Sequence, residues 1–265
     1  FEANQTIIVG KEEIVPDNSI ALLMHFNNDS VFGENDNIIY DFSGNGNDGV
    51  IFNGAVYDEP RLGKHSILFD GVDDFIEVDN NITAFNFGSS DFTVMAWIKT
   101  TQKGEHFFIS KIDEINTDNF GYAVGIEGGK AKGLIRTGSG FGNGDIQFFG
   151  NTIVNDGEWH HVALVRDGIT GKLYVDGEFD GSETDSNVGN TNTPYGLYLG
   201  RLPPSNYFVG NIDEFAIYDR ALTEEEILEA AIQKPITNFT ANFVVENIPD
   251  RTYDWTCRAF DSASQ

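Results

Sequence analysis

Oxygen-bearing residues are concentrated in one short loop, Asp41–Gly49, with the sequence DFSGNGNDG. Calcium prefers carboxylate, amide and backbone carbonyl oxygens and takes roughly six to eight of them in a flexible geometry. The glycines allow the backbone to turn tightly, so that several carbonyls can face one point. The spacing does not match an EF-hand loop. Asp41, Asn45, Gly46 and Asn47 could therefore supply ligands for a calcium ion.

An alternative interpretation of these residues needs no metal. Asp and Asn side chains accept hydrogen bonds from backbone amides two residues further on, so the same loop also predicts successive turns. The segment FDGVDDF has the same ambiguity. We expect Asp70, Asp73 and Asp74 to be turn residues, and a metal role for one of them is the less favoured alternative.

Other reactive side chains do not form a recognisable catalytic arrangement. His160 and His161 are adjacent at the start of a predicted strand, so their rings should point to opposite faces and cannot share a metal. The sequence has no Ser-His-Asp or Cys-His pattern and no phosphate-binding glycine motif. Its one cysteine, Cys257, cannot form an internal disulfide.

The elements that position these residues are mainly short strands. The stretch Glu158–Gly181 contains two runs, His161–Arg166 and Lys172–Val175, next to Asp-Gly pairs that favour tight turns. These runs predict a hairpin, and the first is apolar on both faces, as in an inner strand. Similar short runs recur along the chain between turn signals, which predicts an all-β sandwich or barrel. One helix is predicted at Thr223–Ile232, with Thr223 and Glu226 as a capping box.

The two ends of the chain contain predicted strands outside the main domain. Thr6–Val9 predicts a strand, and Asn238–Ala259 predicts a hairpin with one apolar face. Two strands alone are marginally stable in water, and natural proteins rarely leave strand edges open. We expect these edges to be completed by another module or another subunit, by strand addition between neighbours.

Composition excludes several classes of partner. The 265 residues carry a formal net charge of −26, which does not suit a nucleic-acid backbone or an anionic membrane. A hydrophobic content of 40%, including 22 Phe, is sufficient for a large core. The longest apolar run, Ile20–Met24, is too short for a transmembrane segment.

Several segments together resemble the laminin-G-like domains of the concanavalin A-like lectin/glucanase superfamily, which includes the related pentraxins. These segments are SILFDGVDDFIEV, FTVMAWIKT, EWHHVALVRDGITGKLYVDGEFDG, LYLGR and FVGNIDEFAIYDRALTEEEI. The resemblance implies a jelly-roll sandwich of two antiparallel sheets with its first strand beside its last. It also implies an extracellular binding or adhesion module with a structural calcium ion. In such a fold Asp213 would lie near the chain that follows the first strand, and we add it to the calcium ligands.

Two departures from the family patterns limit what can be inferred. Pentraxins have a Glu-Gln-Asp cluster after the LG strand, whereas this chain has RLPPSNYF at residues 201–208. The glucanases use an E-x-D-x-x-E strand motif, because a retaining pair of glutamates must project from one face. The corresponding segment, Asn211–Phe215, lacks both flanking glutamates in register. We therefore expect a protein that is not an enzyme.

The boundaries follow from these patterns. We expect an extended segment at 1–18, the laminin-G-like domain at 19–234, and a hairpin at 235–265. Residues Phe243–Asp261 resemble the middle of an immunoglobulin- or fibronectin-like domain through the run Y-x-W-x-C-x-A-x-D.

Exposed aromatic rings and sequons complete the candidate sites. Sugars stack their apolar faces on aromatic rings, so rings beside Gly, Asn or Pro in loops are candidates. In a chain with 22 Phe, the favoured interpretation is that such rings cover the core. The candidate ligand-binding residues are Phe141, Tyr195, Tyr207 and Phe208. The sequons place candidate glycosylation sites at Asn4, Asn28, Asn81 and Asn238.

These expectations define one function and one main alternative. The favoured function is a non-catalytic, secreted or cell-surface module that binds a glycan or a protein with the help of calcium. The alternative is a structural subunit of a surface filament or layer, assembled by strand addition between copies. An accessory domain of a carbohydrate-active enzyme is a weaker third hypothesis.

Overall fold

A computed structural model provides the structure of the chain. It describes residues 2–6, 13–14, 17–78, 83–112, 120–138, 144–232 and 240–244. For the first and last of these ranges only the backbone is described.

Short strands make up most of the described chain, and one helix follows them. The strands are β1 Glu2–Thr6, β2 Ile20–Met24, β3 Ile38–Ile39, β4 Gly49–Phe52, β5 Val56–Asp58, β6 Ser66–Asp70, β7 Phe75–Val78, β8 Phe92–Lys99, β9 His106–Lys111, β10 Phe120–Glu127, β11 Lys130–Thr137, β12 Ile146–Ile153, β13 Trp159–Asp167, β14 Thr170–Val175, β15 Glu178–Thr184, β16 Leu197–Leu199, β17 Arg201–Leu202, β18 Asn206–Tyr207, β19 Val209–Tyr218 and β20 Thr240–Val244. The helix, α1, is Glu224–Ile232.

Two eight-stranded antiparallel sheets form the sandwich. Sheet I has the order β15-β14-β13-β8-β19-β6-β5, and β2 also pairs with β19. Sheet II has the order β12-β11-β10-β9-β16-β7-β4-β3. The main hydrophobic core lies between them and takes alternate residues from each strand, such as Ile51, Ile76 and Leu199. The predicted jelly-roll sandwich is confirmed. Its first strand, β2, pairs with its last strand, β19, as expected.

The predicted hairpin lies inside sheet I. Val162 and Leu164 of β13 belong to the core between the sheets. Ala163 and Val165 point the other way and pack in a second apolar cluster on the outer face, beside Ile227 of α1. This strand is therefore covered on both faces, which explains why its sequence is apolar without alternation.

The helix begins with the predicted capping box. The amide N–H of Glu226 donates to Oγ1 of Thr223 at 3.2 Å, and the N–H of Thr223 donates to Oε2 of Glu226 at 2.8 Å. Two amides that have no partner within the helix are satisfied in this way.

A bulge interrupts β19 where it changes partner. The register against β8 shifts between Asp213 and Ala216, and Glu214 has a positive φ of 47°. A positive φ is uncommon for a residue with a side chain. The bulge turns two consecutive acidic residues into the protein, where both are buried.

The described chain divides into two compact units, Gly10–Pro235 and a second that combines Phe1–Val9 with Ile236–Gln265. In the second unit β1 pairs antiparallel with β20, from Glu2 opposite Val244 to Thr6 opposite Thr240. The N-terminal strand thus lies earlier than the sequence predicted. Residues 7–9 and the remainder of the predicted C-terminal hairpin lie outside the described residues.

Candidate functional site

The predicted calcium loop is organised around the buried carboxylate of Asp41. Its Oδ1 accepts hydrogen bonds from the amides of Leu23 at 3.2 Å and Ser43 at 2.9 Å. Its Oδ2 accepts from the amide of Asn47 at 2.9 Å. Both oxygens are therefore used by backbone N–H groups, and the bond to Ser43 is that of an Asx-turn.

The rest of the loop continues this turn pattern. The side-chain amide of Asn45 donates to the carbonyl of Ile20 at 3.1 Å and to Oγ of Ser43 at 3.1 Å. Gly46 has a positive φ of 73°, which a glycine adopts without strain. These contacts match the alternative of successive turns.

Asp213 anchors a different part of the chain. Its Oδ2 accepts from the amides of Arg61 at 2.8 Å and Leu62 at 2.9 Å, and its Oδ1 accepts from that of Glu214 at 2.9 Å. Burial raises the pKa of Asp213 well above its usual range, with the neighbouring Glu214 charge adding to the shift. Both oxygens of Asp41 and of Asp213 accept from backbone N–H groups, and the two carboxylates share no hydrogen-bond donor among the described residues. Calcium binding by Asp213 and the Asp41 loop stays a prediction.

The structure separates the four predicted ring residues. Phe208 is fully buried and packs on Phe69 and Phe108 in the core, so its assignment as a ligand-binding residue is corrected. Phe208 lies between β18 and β19, and its neighbours in the sequence do not determine which way its ring points. Tyr195 and Tyr207 are half-buried, and Phe141 lies outside the described residues.

The predicted glycosylation sites are described only in part. Asn28 is exposed in a loop, with a positive φ of 52°. Asn4 lies in β1, where only the backbone is described, and Asn81 and Asn238 lie outside the described residues.

An aromatic surface that the sequence analysis missed lies on the outer face of sheet II. Phe52 of β4 pairs with Phe75 of β7 across the strands, and their rings stack with centroids 4.8 Å apart at 9°. Phe52 is 37% exposed, whereas Phe75 is 7% exposed. One face of the Phe52 ring is therefore exposed to solvent, and the other face packs against Phe75.

Tyr198 of β16 extends this surface. Its ring meets that of Phe75 edge-on, at 6.1 Å between centroids. The Arg201 guanidinium lies over both rings, with Cζ 3.5 Å from the centroid of Phe75 and 4.2 Å from that of Tyr198. The Tyr198 hydroxyl donates to Oε1 of Glu77 at 3.2 Å. We call Phe52, Phe75 and Tyr198, with Arg201, the aromatic platform.

The acidic turn that precedes Phe75 borders the platform. Asp70, Asp73 and Asp74 place carboxylate oxygens within 4.8 Å of one another. The Oδ1 of Asp70 accepts from the amide of Val72 at 2.8 Å, which is the Asx-turn expected from the sequence. Burial raises the pKa of Asp74, and the neighbouring Asp70 and Asp73 charges add to the shift. The side-chain amide of Asn53 donates to the carbonyl of Asp73 and links this turn to the end of β4.

This arrangement has the components of a surface that stacks a ring-shaped polar ligand. Phe52 offers an apolar face, Arg201 offers N–H donors, and Glu77 offers acceptors. Phe52 precedes Asn53-Gly54, so the criterion of aromatic residues beside turn residues applies to it. The partners Phe75 and Tyr198 could not be assigned from the sequence, because they come from strands that are distant along the chain.

Comparison with curated proteins finds relatives among the pentraxins. The chain is 31% identical to the neuronal pentraxin receptor of Mus musculus over 90 residues, which is 29% of this chain and 18% of that protein. The chain therefore spans less than a fifth of this relative.

Solved structures with the same fold are more distant in sequence. The binding domain of Paraclostridial Mosquitocidal Protein 1 superposes with a TM-score of 0.63 at 20% identity, over 80% of this chain and 51% of that one. Domain 4 of AbnA, an extracellular arabinanase of Geobacillus stearothermophilus solved in complex with arabinotriose, has a TM-score of 0.59 at 19% identity. That superposition covers 83% of this chain and 100% of that domain.

The helix α1, in the described part of the chain, is neither long enough nor apolar enough to cross a bilayer.

The model of the Laminin_G_3 family, described as the concanavalin A-like lectin/glucanases superfamily, matches residues 70–228. Since this match covers more than half of the chain, the protein is a laminin-G-like member of the concanavalin A-like lectin/glucanase superfamily.

Proposed function

We propose that the chain is a carbohydrate-binding module of a secreted or surface protein, and that the glycan docks on the aromatic platform. The observation that carries the proposal is the Phe52 ring, 37% exposed and stacked on Phe75. An exposed ring held parallel to a second ring keeps one conformation, so little side-chain entropy is lost when a sugar stacks on it. Likeness in fold to a solved binding domain and to an arabinanase domain solved in complex with arabinotriose supports this function.

The charges around the platform favour a neutral glycan. Arg201 contributes one positive charge, while Glu77 and the acidic turn at Asp70, Asp73 and Asp74 contribute negative charge. The protein as a whole carries −26, which repels anionic ligands at long range. A neutral sugar can accept hydrogen bonds from Arg201 and donate its hydroxyls to Glu77 without an unpaired charge.

A glycan array followed by calorimetry tests this function. We expect wild-type protein to bind neutral oligosaccharides in preference to sialylated or sulfated ones. Phe52→Ala should weaken binding of the best array ligand by about tenfold, since one ring contact contributes on the order of 0.5–1.5 kcal/mol beyond the area it buries. Phe179→Ala is the matched control, because Phe179 is 53% exposed on β15 of the other sheet. No binding to any glycan, or equal loss in both variants, contradicts the proposal.

A further inference from the structure

A cluster of metal-ligating side chains lies apart from the platform, on the outer side of sheet I beside the bulge in β19. Glu13, His25 and Glu214 place ligand atoms within 4.8 Å of one another. His25 is 5% exposed and Glu214 is 1% exposed. The Nδ1 of His25 lies 2.8 Å from Oε1 of Glu214. One imidazole and two carboxylates thus meet in a largely dry site.

Glu214 has fewer backbone N–H donors than the neighbouring buried acids. In the described part of the chain, the carboxylates of Glu34 and Asp213 each accept from two or three backbone N–H groups. Glu214 accepts from a single backbone amide, that of Ile14 at 3.1 Å, and its other partner is His25. A buried carboxylate requires full pairing, and the pairing of Glu214 depends on one amide and one imidazole.

Glu13 adds a second carboxylate without adding a cation. Its Oε1 accepts from the side-chain amide of Asn27 at 2.5 Å, and no lysine or arginine of the described residues forms an ion pair with it. Gly63 leaves room for this carboxylate, since a Cβ at that position would collide with Oε1 of Glu13. The backbone is thus adapted to a carboxylate that faces His25 and Glu214.

We propose that Glu13, His25 and Glu214 bind a divalent transition-metal ion, and that zinc fits this donor set best. Zinc takes imidazole nitrogen and carboxylate oxygen at roughly 2.0–2.2 Å in a tetrahedral arrangement, whereas calcium prefers oxygen ligands alone. Oxygen and nitrogen ligands of one tetrahedral ion lie about 3.3 Å apart, so a small movement of Glu13 closes the site. The ion would replace the hydrogen bond between His25 and Glu214 and hold Glu13 against β2 and β19.

Zinc titration of metal-stripped full-length protein without an affinity tag tests this proposal. Isothermal titration calorimetry near pH 7 should show one tight equivalent of zinc and no comparable binding of calcium. Glu13→Gln and His25→Gln should each weaken zinc binding by about tenfold or more, the loss typical of a lost ligand or its support. Glu13 is only half-buried, so Glu13→Gln keeps the test valid if His25→Gln or a change at Glu214 prevents folding.

Two control variants address the other places where zinc could bind. His160 lies between Asp156 and Asp176, and Asp73 belongs to the acidic turn. His160→Gln and Asp73→Asn should leave the affinity for zinc unchanged. Absence of zinc binding overturns the proposal, as does binding that survives Glu13→Gln and His25→Gln or is lost in either control variant.

Discussion

Trp97 and His161 face each other across the paired strands β8 and β13, with ring centroids 5.5 Å apart and the rings at 62°. Both side chains are buried. Neither the Trp97 indole N–H nor either His161 nitrogen has a hydrogen-bond partner among the described residues. Because the buried His161 nitrogens have no hydrogen-bond acceptor within the described part of the chain, this environment favours the neutral imidazole.

The first prediction is a loss of stability in mild acid. Burial lowers the pKa of His161 from 6.5 to about 4, while the Asp176 charge acts in the opposite direction. At a pH between these two pKa values, His161 is protonated in the unfolded chain and neutral in the folded protein. The free energy of unfolding therefore falls as the pH drops from 6.5 toward 4. The full loss is about 3 kcal/mol. Urea unfolding at pH 7 and pH 4.5 should show a smaller decrease in His161→Phe. Equal decreases in both proteins would exclude His161 as the cause.

The second prediction concerns Trp97 itself. Its ring is 4% exposed and lies under the guanidinium of Arg61, with Cζ 4.1 Å from the centroid. Trp97→Ala should lower the free energy of unfolding by about 3–5 kcal/mol through lost transfer energy and a cavity. Trp97→Phe should cost clearly less, because it keeps most of the buried area and removes the unpaired N–H. Chemical denaturation measures both, and an unchanged midpoint in Trp97→Ala would show that the ring is not part of the packed interior.

Much of the fold follows from local sequence, as the hairpin of β13 and β14 and the capping box of Thr223 and Glu226 show. In both cases the signals lie within a few residues of each other, and the structure places the elements where the sequence predicts them. The aromatic platform differs, because Phe52, Phe75 and Tyr198 meet only after three separate strands pair. The misassigned Phe208 has the same origin, since its neighbours in the sequence do not reveal which face of a sheet it joins.

The third prediction concerns Asp213→Asn. The backbone N–H groups of Arg61, Leu62 and Glu214 donate to the Asp213 carboxylate. In the variant, the amide NH₂ would face some of these donors and could not accept from them. We expect a loss of about 1–3 kcal/mol from unsatisfied buried polar groups. Asp73→Asn is the control, because Asp73 is exposed in the acidic turn, and it should change the free energy of unfolding by less than about 0.5 kcal/mol. Equal stability of both variants would contradict the anchoring role of Asp213.

The fourth prediction is that calcium alone does not stabilise the protein as long as the Asp41 loop keeps the turns described above. Backbone amides already hold the carboxylates of Asp41 and Asp213, which are fixed by different segments of the chain. A ligand that binds only the folded state raises its stability by mass action. Thermal unfolding of metal-stripped protein should therefore be the same with and without millimolar calcium. A rise in melting temperature that disappears in Asp41→Asn would instead support the calcium site expected from the sequence.

The fifth prediction, that a glycan docks on the aromatic platform, is tested most directly by mapping amide chemical shifts during titration with the best neutral ligand from the array. The largest chemical-shift changes should fall on the backbone around Phe52 and Phe75 and on the segment from Tyr198 to Arg201. These changes should disappear in Phe52→Ala, whereas Phe179→Ala should behave as wild type. Saturable shifts confined to other parts of the molecule, or an unaltered response in Phe52→Ala, would contradict the proposed site.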